Sequence, residues 1–153
     1  MKDIENALRW VVSVLEATNT PFQISGGFAA RLYGSTRELA DIDIDIPDEG
    51  FDKILPDVSP YVVFGPEQYV DEHWNLKLMI LTYRGQVIDV AGEARIFDQN
   101  KQEWAVQKTN FADSNPCTIY GVTIPVIKKE ALIVYKSKLL REVDREDIEF
   151  LTS

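Results

Sequence analysis

The sequence predicts an α/β (α+β) domain, a mixed β-sheet flanked by helices. Three observations carry that prediction. Apolar residues recur at helical period at both ends of the chain, short alternating or β-branched runs fill the middle, and Gly, Pro, Asn and Asp punctuate between them. The 153 residues are read as one domain, residues 1–153, long enough to enclose a sizeable core.

Taken in order, Ile4, Leu8, Val11 and Leu15 mark one face of a helix over 3–17, with Asp3 as its N-cap. Phe22 to Ser25 is a short strand that runs into Gly26-Gly27, and Phe28 to Tyr33 is a short helix. Residues 34–37 turn into a strand over 41–46, closed by Pro47. Asp48 to Leu55 reads as a turn or two of helix that Pro56 stops. Tyr61 to Phe64 is a strand candidate, followed by a polar loop holding His73 and Trp74. Leu76–Tyr83 and Gln86–Val90 flank a hairpin turn at Arg84-Gly85. Residues 93–115 read as mixed strand and loop, with a short helix around 102–106. Residues 117–120 and 122–126 form a hairpin around Gly121, Lys129 to Leu140 is a helix, and Asp144 caps a last helix reaching about Leu151.

Composition narrows the class. The chain is 45% hydrophobic and 27% charged, ordinary for a soluble globular protein, and no apolar run approaches a membrane span. A lone Cys117 excludes an internal disulfide, and with His73 as the single histidine there is no Cys/His metal cluster. With no signal-peptide layout at the N-terminus, a reducing cytoplasm is the expected location. A net charge of −9 repels a phosphate backbone, so nucleic acid is a less favoured partner than a small neutral or cationic molecule.

The chemistry concentrates in residues 24–46. Asp41, Asp43 and Asp45 alternate with Ile42, Ile44 and Ile46, so on a strand the isoleucines face one side and the carboxylates the other. Carboxylates two residues apart sit roughly 6.5–7 Å from each other and repel by roughly 2.5 kcal/mol per pair at an effective dielectric of about 20. Asp is also depleted in strands, which favours a bound divalent cation over a merely solvated face. Asp89, inside the apolar run 86–90, either ends its strand at Ala91-Gly92 or faces the same cleft; the cleft is preferred. Three carboxylates from neighbouring strands can hold two Mg²⁺ ions that activate an attacking hydroxyl and stabilise a leaving pyrophosphate. Ser25-Gly26-Gly27, where a strand becomes a helix, offers close backbone approach and free N–H groups for phosphate.

Gly26-Gly27, thirteen intervening residues and then Asp41-Ile42-Asp43-Ile44 resemble the signature of the polymerase-β-type nucleotidyltransferase superfamily. The stretch from Gly34 to Asp43 is similar to the small bacterial members: lincosamide and aminoglycoside nucleotidyltransferases, and abortive-infection-type toxins. Ile124-Pro125-Val126-Ile127 with Leu132, Lys136, Arg141, Asp144 and Asp147-Ile148 resembles the ending of many such proteins. The resemblance implies a nucleotidyltransferase-fold domain and a reaction moving a nucleoside monophosphate from an NTP to a hydroxyl of a small molecule such as an antibiotic. It implies that Asp41, Asp43 and Asp89 bind two Mg²⁺ ions, with Asp89 also taking the hydroxyl proton. It implies phosphate contacts from Ser25, Gly26 and Gly27, and charge neutralisation by Arg37 and Lys136. Asp43 with Asp45 is the alternative ligand pair, but its spacer of fifteen is longer than usual. Otherwise Asp45 stands behind the ligands or faces the substrate.

The short chain leaves room for a second copy to complete the acceptor pocket, as a homodimer. Other readings are a toxin-type enzyme acting on tRNA or protein, a non-catalytic nucleotide-binding partner protein, and a hydrolytic metal site, which leaves the Gly-Gly pair unexplained. His73 is read as a surface-loop histidine, Cys117 as a small buried hydrophobe, and Trp10, Trp74 and Trp104 as core or rim residues, with Trp74 alone also placed to stack a base.

Overall fold

The computed structural model describes residues 3–153. Helix α1 (Ile4–Ala17) opens the chain; Asp3 is its N-cap and accepts a hydrogen bond from the Asn6 amide at 3.1 Å. Ala7, Leu8, Val11, Val12, Val14 and Leu15 are its buried face. Strand β1 (Gln23–Ile24) leads directly into helix α2 (Gly26–Leu32), and β2 (Asp41–Asp45) follows. Helix α3 (Gly50–Val58) and a 3₁₀ turn (Ser59–Tyr61) precede three long strands, β3 (Val62–Val70), β4 (Trp74–Tyr83) and β5 (Gln86–Asp98). Strands β6 (Glu103–Gln107), β7 (Ser114–Ile119) and β8 (Val122–Ile127) and helices α4 (Lys129–Leu139) and α5 (Glu142–Thr152) complete the described elements.

The eight strands form one mixed sheet in the order β3-β4-β5-β2-β1-β8-β7, with β6 paired to the far half of β5. β2 runs parallel to β5 and β1 parallel to β8; the other pairs are antiparallel. β2 therefore lies inside the sheet, and Asp43 stands directly opposite Asp89 in the β2–β5 register. Ile42, Ile44, Ile46, Ile88 and Val90 are all buried in one core with Leu8 and Val11 of α1 and Phe51 and Ile54 of α3. The alternation along β2 thus sends its apolar half to the core and its acidic half to the other face.

Five local readings need correction. Helix α3 runs through Pro56 to Val58, because the donor that proline lacks falls in the final turns and burial of Ile54 and Val58 outweighs it. β5 does not stop near Val90: Leu76–Leu78 of β4 faces Ala91–Ala94, a bulge that absorbs Gly92. A Cβ at Gly92 would meet the Asp48 carboxylate, which would have to turn away from the Glu93 amide it accepts. The short helix expected around 102–106 is instead β6, drawn into the sheet by the free edge that β5 presents beyond β2. Finally, α5 is N-capped by Arg141. Asp144, inside the first turn, accepts the Arg141 amide at 3.1 Å, so it caps from within the helix. The polar loop expected to hold His73 and Trp74 is also shorter: β3 runs on to Val70 and β4 starts at Trp74, leaving a hairpin turn in which Asp71 accepts the His73 and Trp74 amides at 2.8 Å each.

Candidate active site

The acidic face of β2 opens into a cleft of about 620 Å³. Asp41, Asp43 and Asp45 line it from β2, Asp89 from β5, and Ser25, Gly26 and Gly27 from the β1–α2 junction. Asp41, Asp43 and Asp89 each offer one carboxylate oxygen, and these oxygens all lie within 4.8 Å of one another. This convergence follows from the parallel β2–β5 register, which places position 89 beside position 43 on the same face.

Such crowding is electrostatically costly. At 4.8 Å and an effective dielectric of about 20, each charged pair repels by about 3–4 kcal/mol. Burial, then Asp43 and Asp41, push the Asp89 carboxyl up to about 8. Burial and Asp41 push Asp43 up to about 6. Asp45 rises to about 7 through burial, with Asp43 adding to it and a hydrogen bond with Ser25 opposing it. These residues fit a divalent cation: three hard oxygen donors, already too close together to be jointly charged without one.

The same shifts set a pH dependence. A carboxyl whose folded-state pKa lies above its unfolded value binds more protons when folded, so stability is complete below about pH 4 and is lost as pH rises through about 6 to 8. Chemical denaturation in EDTA should therefore show a less stable protein at pH 8 than at pH 5. Asp89→Asn should remove on the order of 2 kcal/mol of that difference. An unchanged slope in the variant would refute the assignment.

Both glycines of the turn have a geometric reason. Gly26 has φ +59, and a Cβ there would lie 2.5 Å from Asp43 Oδ2; a Cβ on Gly27 would lie 2.7 Å from Arg37 Nη2. The amides are not free, as the sequence suggests, but engaged within the protein. Gly26 N–H donates to the Tyr135 hydroxyl at 2.7 Å and Gly27 N–H to Asp43 Oδ2 at 3.0 Å. The short helix thus presents its positive end to a carboxylate of the acidic cluster.

Arg37 and Lys136 also line the cleft, and both are ion-paired. Arg37 is bound to Asp147, and Lys136, 1% exposed, lies 3.1 Å from Asp144 and 3.0 Å from Asp147. Arg141 closes the group on Asp144 at 2.7 Å and places its guanidinium over the Trp74 ring at 5.6 Å. Among the described cations that line the cleft, Lys108 alone makes no ion pair with a carboxylate.

The sequence pattern of the aminoglycoside-2''-adenylyltransferase family matches residues 7–151. The chain belongs to that family. It is a nucleotidyltransferase, as the acidic strand and the Gly-Gly turn imply. Among curated protein sequences none matches. Among solved structures, the fold is similar to a Thermotoga maritima protein described as a nucleotidyltransferase, at 22% identity and TM-score 0.76 over 94% of this chain and 89% of that one. The lincosamide antibiotic adenylyltransferase LnuA, solved with lincomycin, is 18% identical with TM-score 0.62, covering 100% of this chain and 98% of that chain. ANT(2'')-Ia in complex with adenylyl-2''-tobramycin is 15% identical with TM-score 0.60, over 96% and 86%. At these identities the three structures establish the nucleotidyltransferase fold of the family and no more.

Some cleft residues carry little signal in the sequence. Tyr135 reads as one more apolar position of α4, and only the fold aims its hydroxyl at Gly26. His73, read as a surface-loop residue, and Trp74, read as core or rim or as a base-stacking ring, form part of the cleft wall, and the His73 Nδ1 is buried without a hydrogen-bond partner. Gln23 is buried, and its amide donates to the Asn110 carbonyl at 3.1 Å and to Ser114 Oγ at 2.8 Å, which fixes the 108–113 segment at the cleft edge. A lone Gln beside a glycine turn carries no pattern that would announce this. No described helix is long and apolar enough to cross a membrane.

Proposed function

We propose that this protein is a Mg²⁺-dependent nucleotidyltransferase that moves a nucleoside monophosphate from an NTP, ATP first among them, to a hydroxyl of a small polar or cationic antibiotic. The observation that carries the reading is the convergence of Asp41, Asp43 and Asp89 within 4.8 Å, beside Gly26-Gly27 and at the wall of a cleft of about 620 Å³, the size of a small-molecule site. Asp41 and Asp43 would hold both ions and Asp89 the catalytic one. Bound Mg²⁺ would supply charge neutralisation at the α-phosphate and lower the pKa of the attacking hydroxyl.

The chain's own residues do the rest. Ser25, Gly26 and Gly27 would meet the β- and γ-phosphates, with Arg37 and Lys136 supplying positive potential beside them. The acceptor oxygen attacks the α-phosphorus, the bond to the bridging oxygen breaks, and pyrophosphate leaves. A carboxylate oxygen of Asp89 would take the hydroxyl proton. Glu38 and Asp71 add negative charge around the cleft, which favours a cationic acceptor such as an aminoglycoside.

A transfer assay tests this: α-³²P-labelled ATP, GTP, CTP and UTP, each with Mg²⁺ or EDTA, against aminoglycosides and lincosamides. A labelled acceptor and released pyrophosphate, both abolished by EDTA, are the expected result. Absence of label on every acceptor, together with no Mg²⁺-dependent nucleotide binding by calorimetry, would overturn the reading.

A further inference from the structure

Asp147 of α5 has no exposed side-chain surface, yet its carboxylate gathers four donors. Arg37 contributes Nε at 3.0 Å and Nη2 at 2.8 Å, on separate oxygens; Lys136 contributes Nζ at 3.0 Å and Ser35 its hydroxyl at 3.3 Å. Burial alone would raise this carboxyl, but Arg37 and Lys136 hold it below the ordinary range, so it is charged. A two-pronged contact of this kind fixes both the position and the plane of a guanidinium. Arg37 lies in the segment between α2 and β2, which has no regular secondary structure; its amide donates to Ser35 Oγ at 3.3 Å and its carbonyl accepts from Arg31 Nη1 at 2.8 Å, so Asp147 is what fixes its side chain.

The direction in which Arg37 is held matters. The nitrogen that grips Asp147, Nη2, is the one that lies against Gly27, and Asp43 is close enough to raise the pKa of Arg37. A loose arginine at this position has an obvious alternative partner in the acidic cluster. Tied to Asp147, it stays beside the glycine turn, and the Asp43 oxygens remain available.

We propose that Asp147 is a positioning residue for the donor nucleotide: acting through Arg37, it sets the affinity of the glycine turn for a triphosphate. This rests on the donor-site reading above and adds a residue that touches neither substrate nor the reacting atoms. Lys136 and Ser35 make Asp147 the junction of three chain segments, the 33–40 connection, α4 and α5, so the last helix contributes to nucleotide binding without reaching the cleft floor.

The test is a double-mutant cycle on the full chain, read as the Kd of ATP with Mg²⁺ by calorimetry and as KM and kcat in the transfer assay. Asp147→Asn keeps an acceptor but loses the charge, and Lys136 retains Asp144. It is expected to weaken ATP binding about tenfold, with the change falling in KM more than in kcat. Arg37→Gln should weaken binding at least as much, and the double variant no further than Arg37→Gln alone. Arg37→Lys covers the case in which Asp147→Asn does not fold. It leaves the Asp147 charge paired with Lys136 but cannot make the fork, and is expected to lose a similar factor. Additive losses in the cycle, an Asp147→Asn that melts lower but binds ATP normally, or an Arg37→Lys that binds as wild type would each overturn the proposal. Wild-type protein that binds no Mg-nucleotide would remove the donor-site reading and this inference with it.

Discussion

Replacing Asp43 by Asn should cut nucleotidyl transfer by at least about a thousandfold, some 4 kcal/mol of transition-state stabilisation, while leaving the protein folded. Asp43 is the central member of the acidic cluster, opposite Asp89 in register and between Asp41 and Asp45 on its own strand. It is also the carboxylate held by the α2 N-terminus through the Gly27 amide. Asparagine keeps an oxygen for that amide and nearly the same volume, but removes one of the charges that would fix the metal ions. Because the wild-type carboxylates repel, the variant should melt at the same temperature as wild type or higher when metal is absent. Labelled-ATP transfer and a thermal melt in EDTA check the two halves together. Activity within tenfold of wild type would show that the cluster does not drive the chemistry.

Lys136→Met is expected to produce the largest loss of stability. Lys136 is 1% exposed, and both of its carboxylate partners are fully buried. Removing one member of a buried ionic group leaves charge without compensation, which costs about 3–5 kcal/mol, a large share of the 5–15 kcal/mol typical of a domain. Arg141 and Arg37 still serve Asp144 and Asp147, so the low end of that range, about 3 kcal/mol, is the expected value. Urea denaturation at neutral pH measures it directly. A loss under 1 kcal/mol would mean that the two arginines already satisfy both aspartates, and that the charge of Lys136 is free to serve the nucleotide.

The acidic strand was the most legible part of the molecule, and the reason is physical. Alternating Ile and Asp fixes which face of β2 is buried, and once Asp89 falls on a parallel neighbour the cluster follows. Helix α1 was equally plain from its apolar period and its Asp3 cap. What sequence patterns could not carry were decisions made between distant segments. β6 forms because β5 outruns β2 and leaves an edge to be paired, and α3 passes Pro56 because Ile54 before it and Val58 beyond it are both buried. The cations were the hardest case. The family resemblance marks Arg37 and Lys136 as cations for the triphosphate, but that Asp147 lies behind both of them depends on how α5 folds back over α4.

Strand β2 has a consequence for misfolding. Its five residues serve the hydrophobic interior and the acidic cluster in strict alternation, and it is flanked by paired strands on both sides. A slip of one position would invert both sets at once, driving aspartates into the apolar centre and isoleucines into the cleft. A one-residue slip thus leads to no well-packed isomer. Refolded material should therefore divide into fully competent molecules and aggregate, with specific activity per soluble molecule constant across preparations of very different yield.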